Sequence, residues 1–419
     1  MNEEAAITRN PHPILFALMT LPAGIAQGFL TVTLPFIARR AGISVSAISS
    51  VIAIGLMPLI LNFVWSFLLD LTLTYRRWCG IGACSCAGML VLIAAVPLRP
   101  ATINLVTLAS FIMMTGSTLI AIPLSALIAH TVPDELKGRT AGCFQIGLTG
   151  AIGLGGGAGV WLAAHFSKPI ITGVVLGLLS LACLVAIYLL PETARFMSGS
   201  IGRRILGIGR EIWDLARHPR GALVLALVIT PIGVGAANNL WSAVAEEWHV
   251  SANTLAAVTG VAGACATTLG CAIGGWWADR MDRRVVYLAA GVILVMVGSI
   301  LAITPRTPVL FSAGTLSYTM TVGICNASFS ALIFSTVGRG AAASKCAIIA
   351  GLGNIPTSYM TAFDGWLHDR SGSAVMLITE ALVCLVLIIV MLVILRSVPA
   401  LGLKTVAVSA QGLKRVEQA

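Results

Sequence analysis

The sequence predicts an all-α membrane protein with twelve transmembrane helices, arranged as two six-helix pseudo-repeats around a central cavity. Three observations carry that expectation. The 419 residues are 58% hydrophobic and only 10% charged, with a mean hydropathy of +0.95, whereas a soluble domain carries roughly 25% charged residues. Apolar runs of membrane-spanning length recur along the whole chain. Landmark residues of the first part return in the second at a near-constant offset.

A helix needs roughly 20 apolar residues to cross a bilayer. On that measure the spans lie near 13–38, 46–69, 78–97, 101–130, 140–164, 169–190, 221–245, 252–278, 285–304, 308–336, 341–366 and 374–395. The first run is longer than the core of a signal peptide, and its one early positive charge, Arg9, is offset by Glu3 and Glu4. It therefore reads as a retained span. Spans one to six make an N-terminal unit, 1–192, and spans seven to twelve a C-terminal unit, 221–396. Between them, 193–220 reads as a cytoplasmic linker, in which Arg210-Glu-Ile-Trp-Asp-Leu-Ala-Arg217 mixes apolar and basic residues as an interfacial helix does. A cytoplasmic tail, 397–419, follows.

An even number of spans puts both termini on one side. Of the 26 lysines and arginines, only Arg39, Arg40, Arg99, Lys168, Arg306 and Arg370 then fall on the opposite side. The positive-inside rule makes the side of the termini the cytoplasm. The net charge of +10 is thus a topology signal with lipid headgroups as partners, and not a nucleic-acid footprint. The ten cysteines fall in or beside apolar runs and read as small buried hydrophobes.

The repeat is visible in three places. Pro22-Ala-Gly24 pairs with Pro231-Ile-Gly233, and Asp70 with Asp279, both 209 residues on. Trp161-Leu162 resembles Trp366-Leu367 at nearly the same offset. Parallel repeats of six helices characterise one large class of membrane proteins.

The stretch Gly274–Arg284, GGWWADRMDRR, ends span eight with a charge cluster. It resembles the loop signature G-x-L-a-D-r-x-G-r-r of the major facilitator superfamily. Gly275, Asp279, Arg280, Arg283 and Arg284 occupy matching positions, and Asp282 replaces the second Gly. The first-half copy keeps Asp70, Arg76 and Arg77, but lacks the leading Gly and the Arg after the acid. Residues 21–77 further resemble the AmpG-like branch, whose members carry muropeptides, acyl-CoA or, in shorter twelve-helix relatives, siderophores. The resemblance implies an alternating-access transporter of a bacterial inner membrane, working as a monomer and importing a small organic molecule such as a siderophore with protons. Muropeptide uptake, drug export and a membrane sensor or scaffold without flux are the alternatives. It assigns the charged motif to gating: Gly275 brings span eight close to its neighbour, Asp279 caps the cytoplasmic end, and the arginines hold the loop inside.

In that fold, spans one, four, seven and ten line the cavity. Polar residues at helical spacing then nominate Gln27 and Thr31 on span one, Asn238 and Asn239 on span seven, and Tyr318 and Thr321 on span ten as substrate contacts. No Lys or Arg lies in the middle of these spans, which favours a neutral, zwitterionic or aromatic substrate over a strong anion. Asp364 and Glu380 are candidates for proton coupling, both expected near the outer interface. The glycine run Gly147–Gly159 lacks the Gly-Lys-Ser/Thr of a phosphate loop and reads as a helix-packing surface. No catalytic set, metal-ligand spacing or cofactor motif is found, so no enzyme activity, metal or cofactor is expected.

Overall fold

The computed structural model describes residues 12–62, 64–65, 69, 73–132, 134–187, 213, 216–217, 219–337, 349 and 351–397. Within them the fold is helical. In chain order come α1 (Ile14–Arg40), α2 (Val45–Ile60), α3 (Tyr75–Ala95) and α4 (Ile103–Thr131). Then α5 runs as Asp134–Gly153, a π-turn at Leu154–Ala158, and Gly159–His165. They are followed by α6 (Pro169–Ala182), α7 (Pro219–Ile229), α8 (Ala252–Arg280), α9 (Arg283–Ile303), α10 (Pro308–Val337) and α11 (Asn354–Ser397). Among the described residues eight helical segments are long and apolar enough to cross a membrane, and α2 and α6 are shorter apolar helices. The protein is a multi-pass membrane protein. Its outward side chains agree, since Val261 and Ile303 are left 77% and 78% exposed and only lipid would cover them without cost.

Local chemistry sets the helix boundaries. Ser44 caps α2 by accepting from the Ala47 N–H, Ser251 caps α8 at Thr254, and Asp282 caps α9 at Arg284. Pro169 and Pro308 open α6 and α10, where a missing N–H costs nothing. Gly372, with φ 78°, splits α11 into two arms, which separates the regions predicted as spans eleven and twelve.

Span seven departs from expectation. A continuous helix over 221–245 is predicted, but α7 ends at Ile229 and the chain continues as a 3₁₀ turn at Ala236–Asn239 and short turns to Trp248. Gly233 and Gly235 have φ of 69° and 63°, a left-handed conformation that only glycine adopts cheaply, and Pro231 withholds a donor. Spacing alone did not show this break.

The centre is a glycine-built junction. Were Gly157 given a Cβ, it would lie 2.6 Å from the Ala256 carbonyl oxygen, and one on Gly153 would lie 2.9 Å from that of Gly260. So α5 and α8 touch backbone to backbone. Gly155 and Gly28 bring α1 against the other side of α5. All three helices carry a π-turn here, Phe29–Thr33, Leu154–Ala158 and Val258–Ala262. The Thr33 hydroxyl donates to the Gly155 and Gly156 carbonyls at 2.8 and 3.1 Å, satisfying groups that the wider turn exposes. Elsewhere Gly274 meets α10 at Ile324, and Gly365 of α11 meets Ser49 of α2. Around Gly275 there is open space, so the close approach expected there is made by its neighbour instead.

Candidate functional site

A central cavity of about 550 Å³ lies between α1, α5, α8, α10 and the broken segment after α7. Gln27 and Thr31 of α1 line it, as do Asn238 and Asn239. Tyr318 and Thr321 do not line it. Both are buried, and the Thr321 hydroxyl returns to the Ser317 carbonyl at 2.8 Å. On α10 the cavity is instead faced by Thr315, Thr319, Asn326 and Ser330. These follow i, i+4, i+11, i+15 and form a helical stripe, rotated from the one that carries Tyr318 and Thr321. Gln145, Thr149 and Asn354 also line the cavity, because α5 and the start of α11 add walls beyond spans one, four, seven and ten.

One end of the cavity is closed by rings. Trp241 packs edge-on against Phe311 and Tyr318, with centroids 6.1 and 5.3 Å apart, and Trp248 against Phe311 at 5.9 Å. Beyond them a polar layer ties α11 to its neighbours. Asp369 accepts from the Val45 and Ser46 N–H groups at 3.0 and 2.8 Å, a carboxylate at a helix N-terminus. Glu247 takes bonds from His368 and Ser373, while Arg306 stacks over Trp248 at 4.2 Å. Burial pushes the Glu247 carboxyl up, but those hydrogen bonds and the charges of His368 and Arg306 outweigh it and hold the group below its ordinary value. Toward the other end, cavity-facing residues pass from buried Thr315 and Thr319 to exposed Asn326 and Ser330. The cavity opens there.

That open end carries the charged motif. Arg283 reaches the Ala331 carbonyl at 3.4 Å, Arg280 stacks on Trp276 at 4.2 Å, and Arg284 lies 3.6 Å from Asp282. Asp279 is exposed and makes no ion pair with another described residue. Arg76 and Arg77 start α3, and Asp70 lies outside the described residues. So do most of the linker, with its predicted interfacial helix, and the tail after Ser397.

The two membrane carboxyls sit behind the cavity wall rather than in interfacial water. Glu380 accepts from the Ala236 N–H at 2.7 Å and from the Tyr318 hydroxyl at 2.8 Å. It thereby holds the first turn after the break in span seven. Asp364 is fully buried, and neither of its oxygens has a hydrogen-bond partner among the described residues. One turn earlier, Thr361 accepts from the Asn239 amide at 3.0 Å, linking this region to the cavity. The position of both acids toward the outer span ends predicts contact with interfacial water, but packing against distant residues buries them. Among the described residues no group of His, Cys, Asp and Glu could hold a metal ion, and nine cysteines are free.

The Major Facilitator Superfamily profile matches residues 16–344. The chain belongs to the major facilitator superfamily. Members of this superfamily are transporters and not enzymes. No curated protein sequence matches significantly. Among solved structures, a mutant of the nucleoside transporter NupG is similar with a TM-score of 0.71 at 15% identity, over 91% of this chain and 98% of that one. A D-xylose-proton symporter gives 0.72 at 13%, over 90% and 96%. A POT family transporter in complex with 5-aminolevulinic acid gives 0.69 at 12%, over 91% and 95%. At these identities the likeness concerns the superfamily fold.

Proposed function

We propose that this superfamily member is an alternating-access secondary transporter that imports a small organic molecule with protons across a bacterial inner membrane. The observation that carries this reading is the cavity, blind at the aromatic layer and open at the end bearing Asp279 to Arg284. Twelve spans in two six-helix halves, with both termini cytoplasmic, make the open end the inner one, and the chain works as a monomer. Gln27, Thr31, Asn238 and Asn239 contact the substrate, with Tyr318 and Thr321 supporting the wall. Asp364 and Glu380 carry protons. Asp364, buried without a hydrogen-bond partner among the described residues, is the carboxyl placed to take up and release a proton as its surroundings change.

Asp70, Arg76, Arg77, Gly275, Asp279, Arg280, Arg283 and Arg284 form the inner gate, and the arginines also meet lipid headgroups. The resemblance of residues 21–77 to the shorter AmpG-like relatives supports a siderophore as cargo.

Uptake of labelled candidates into right-side-out vesicles tests this. Accumulation that collapses with an uncoupler is expected. Uptake unaffected by the uncoupler would remove proton coupling, outward flux would reverse the direction, and no flux either way would leave a sensor or scaffold.

A further inference from the structure

The Asn238 amide is held in one orientation. Its Oδ1 accepts the Trp241 indole N–H at 3.0 Å and the Thr319 hydroxyl at 2.9 Å. An indole nitrogen only donates, so the amide oxygen, and not the nitrogen, must face it. Trp241 is itself 2% exposed and wedged against Phe311 and Tyr318, which fixes the pair. The NH₂ group is left with two donors and no hydrogen-bond partner among the described residues, on a half-buried side chain that lines the cavity.

The surrounding wall is polar without being charged. Amides at Gln27, Asn239 and Asn326 and several hydroxyls line the cavity, and among its described lining residues there is no Asp, Glu, Lys, Arg or His. A charged ligand entering here would lose hydration and meet no counter-charge. Amides and hydroxyls, in contrast, both donate and accept, and a neutral molecule can satisfy them group by group.

We infer that the cavity binds an uncharged organic molecule of at most about 550 Å³, and that Asn238 donates to a carbonyl or ring-nitrogen acceptor on it. This rests on the transporter reading, since it names the cargo class of the same cavity.

The test uses matched pairs that differ in charge: uridine with uridine monophosphate, N-acetylglucosamine with glucosamine, and ferrichrome with ferrioxamine B. Thermal unfolding of the purified full chain is followed with each. At least one neutral member should raise the melting temperature while its charged counterpart, at equal concentration, does not. In Asn238→Asp the remaining carboxylate oxygen still accepts from Trp241 and Thr319, but the cavity donor is gone. Affinity for the neutral member should then fall about tenfold or more.

A charged member that protects as well as its neutral partner overturns the inference, as does a panel in which no neutral member protects. Unchanged affinity in Asn238→Asp removes Asn238 as the donor. The paired comparison on the unaltered protein holds whether or not the variant folds. Proteoliposome uptake separates the two readings. Gradient-driven flux of only charged members refutes this inference and keeps transport, whereas neutral binding without flux refutes transport and keeps the binding class.

Discussion

His368 holds Glu247 across 121 positions of chain, its Nε2 lying 2.5 Å from Glu247 Oε1. The Ser373 hydroxyl donates to the other carboxylate oxygen at 2.6 Å. Because the carboxyl sits below its ordinary value of 4.5 in this arrangement, ionised Glu247 favours the closed end. That contribution is complete above pH 4.5 and is lost as pH falls through the lowered value. Spin labels at Ala41 and Ser251, in a cysteine-depleted background, should report a distance that widens below that pH. Glu247→Gln should widen it already at neutral pH, and an unchanged distance in both cases would remove the pair from the closure.

Asp369→Ala should loosen the same end more. Two charge-assisted bonds to the start of α2 are lost, and the Val45 and Ser46 donors are left to water. A shift of roughly 2 kcal/mol, about thirtyfold toward the open form, is expected. The same label pair measures it, and Asp369→Asn should show a smaller change.

Glu380→Gln and Glu380→Ala should differ. The glutamine oxygen can still accept from Ala236 but the side chain can carry no proton, so gradient-driven accumulation should disappear while exchange of labelled for unlabelled substrate persists. The alanine leaves both the Ala236 N–H and the Tyr318 hydroxyl unpaired and should destabilise by roughly 2–4 kcal/mol, read as a drop in melting temperature. If Glu380→Gln and Asp364→Asn both accumulate substrate normally, neither carboxyl couples protons.

How much of this was legible in the sequence depends on how far apart the interacting residues lie. The helices follow from apolar run length, and the family from GGWWADRMDRR, because both signals are local. The interruption after α7 was only hinted at by Pro231, Gly233 and Gly235, since the same residues also suit packing or a gentle kink. Glu380 and Asp364 could not be placed from their neighbours, which are apolar like those of any span end. Glu380 is held by Ala236 and Tyr318, 144 and 62 positions away, and the packing of α11 against distant helices buries Asp364. On α10, two polar stripes compete, and only the packing of α8 against Gly323 and Ile324 selects the one carrying Thr319 and Asn326.

Gly157→Ala should slow transport more than tenfold without preventing insertion. The added methyl meets the Ala256 carbonyl and the Gly260 backbone, neither of which can rotate away, and overpacking of this kind costs about 1–3 kcal/mol. Gly150→Ala is the control, because nothing lies within 4 Å of its Cβ position. Equal uptake rates in the two variants would exclude the α5–α8 contact as a moving surface.

Asp279→Asn should leave insertion intact and cut the transport rate strongly. With no ion-pair partner among the described residues while the inner end is open, Asp279 is free to engage when that end closes. Normal uptake by the variant would rule out a latch role.

The interruption after α7 also constrains how the protein is made. A broken backbone within the bilayer exposes polar groups that lipid cannot satisfy, and here the Ala236 N–H is satisfied by Glu380, 144 residues later in the chain. At synthesis rates of roughly 5–20 residues per second, the ribosome emits Ala236 many seconds before its partner exists. During that interval the segment must be sheltered by the insertion machinery or by other helices. The last apolar arm of the chain is thus a folding clamp for a turn synthesised long before it.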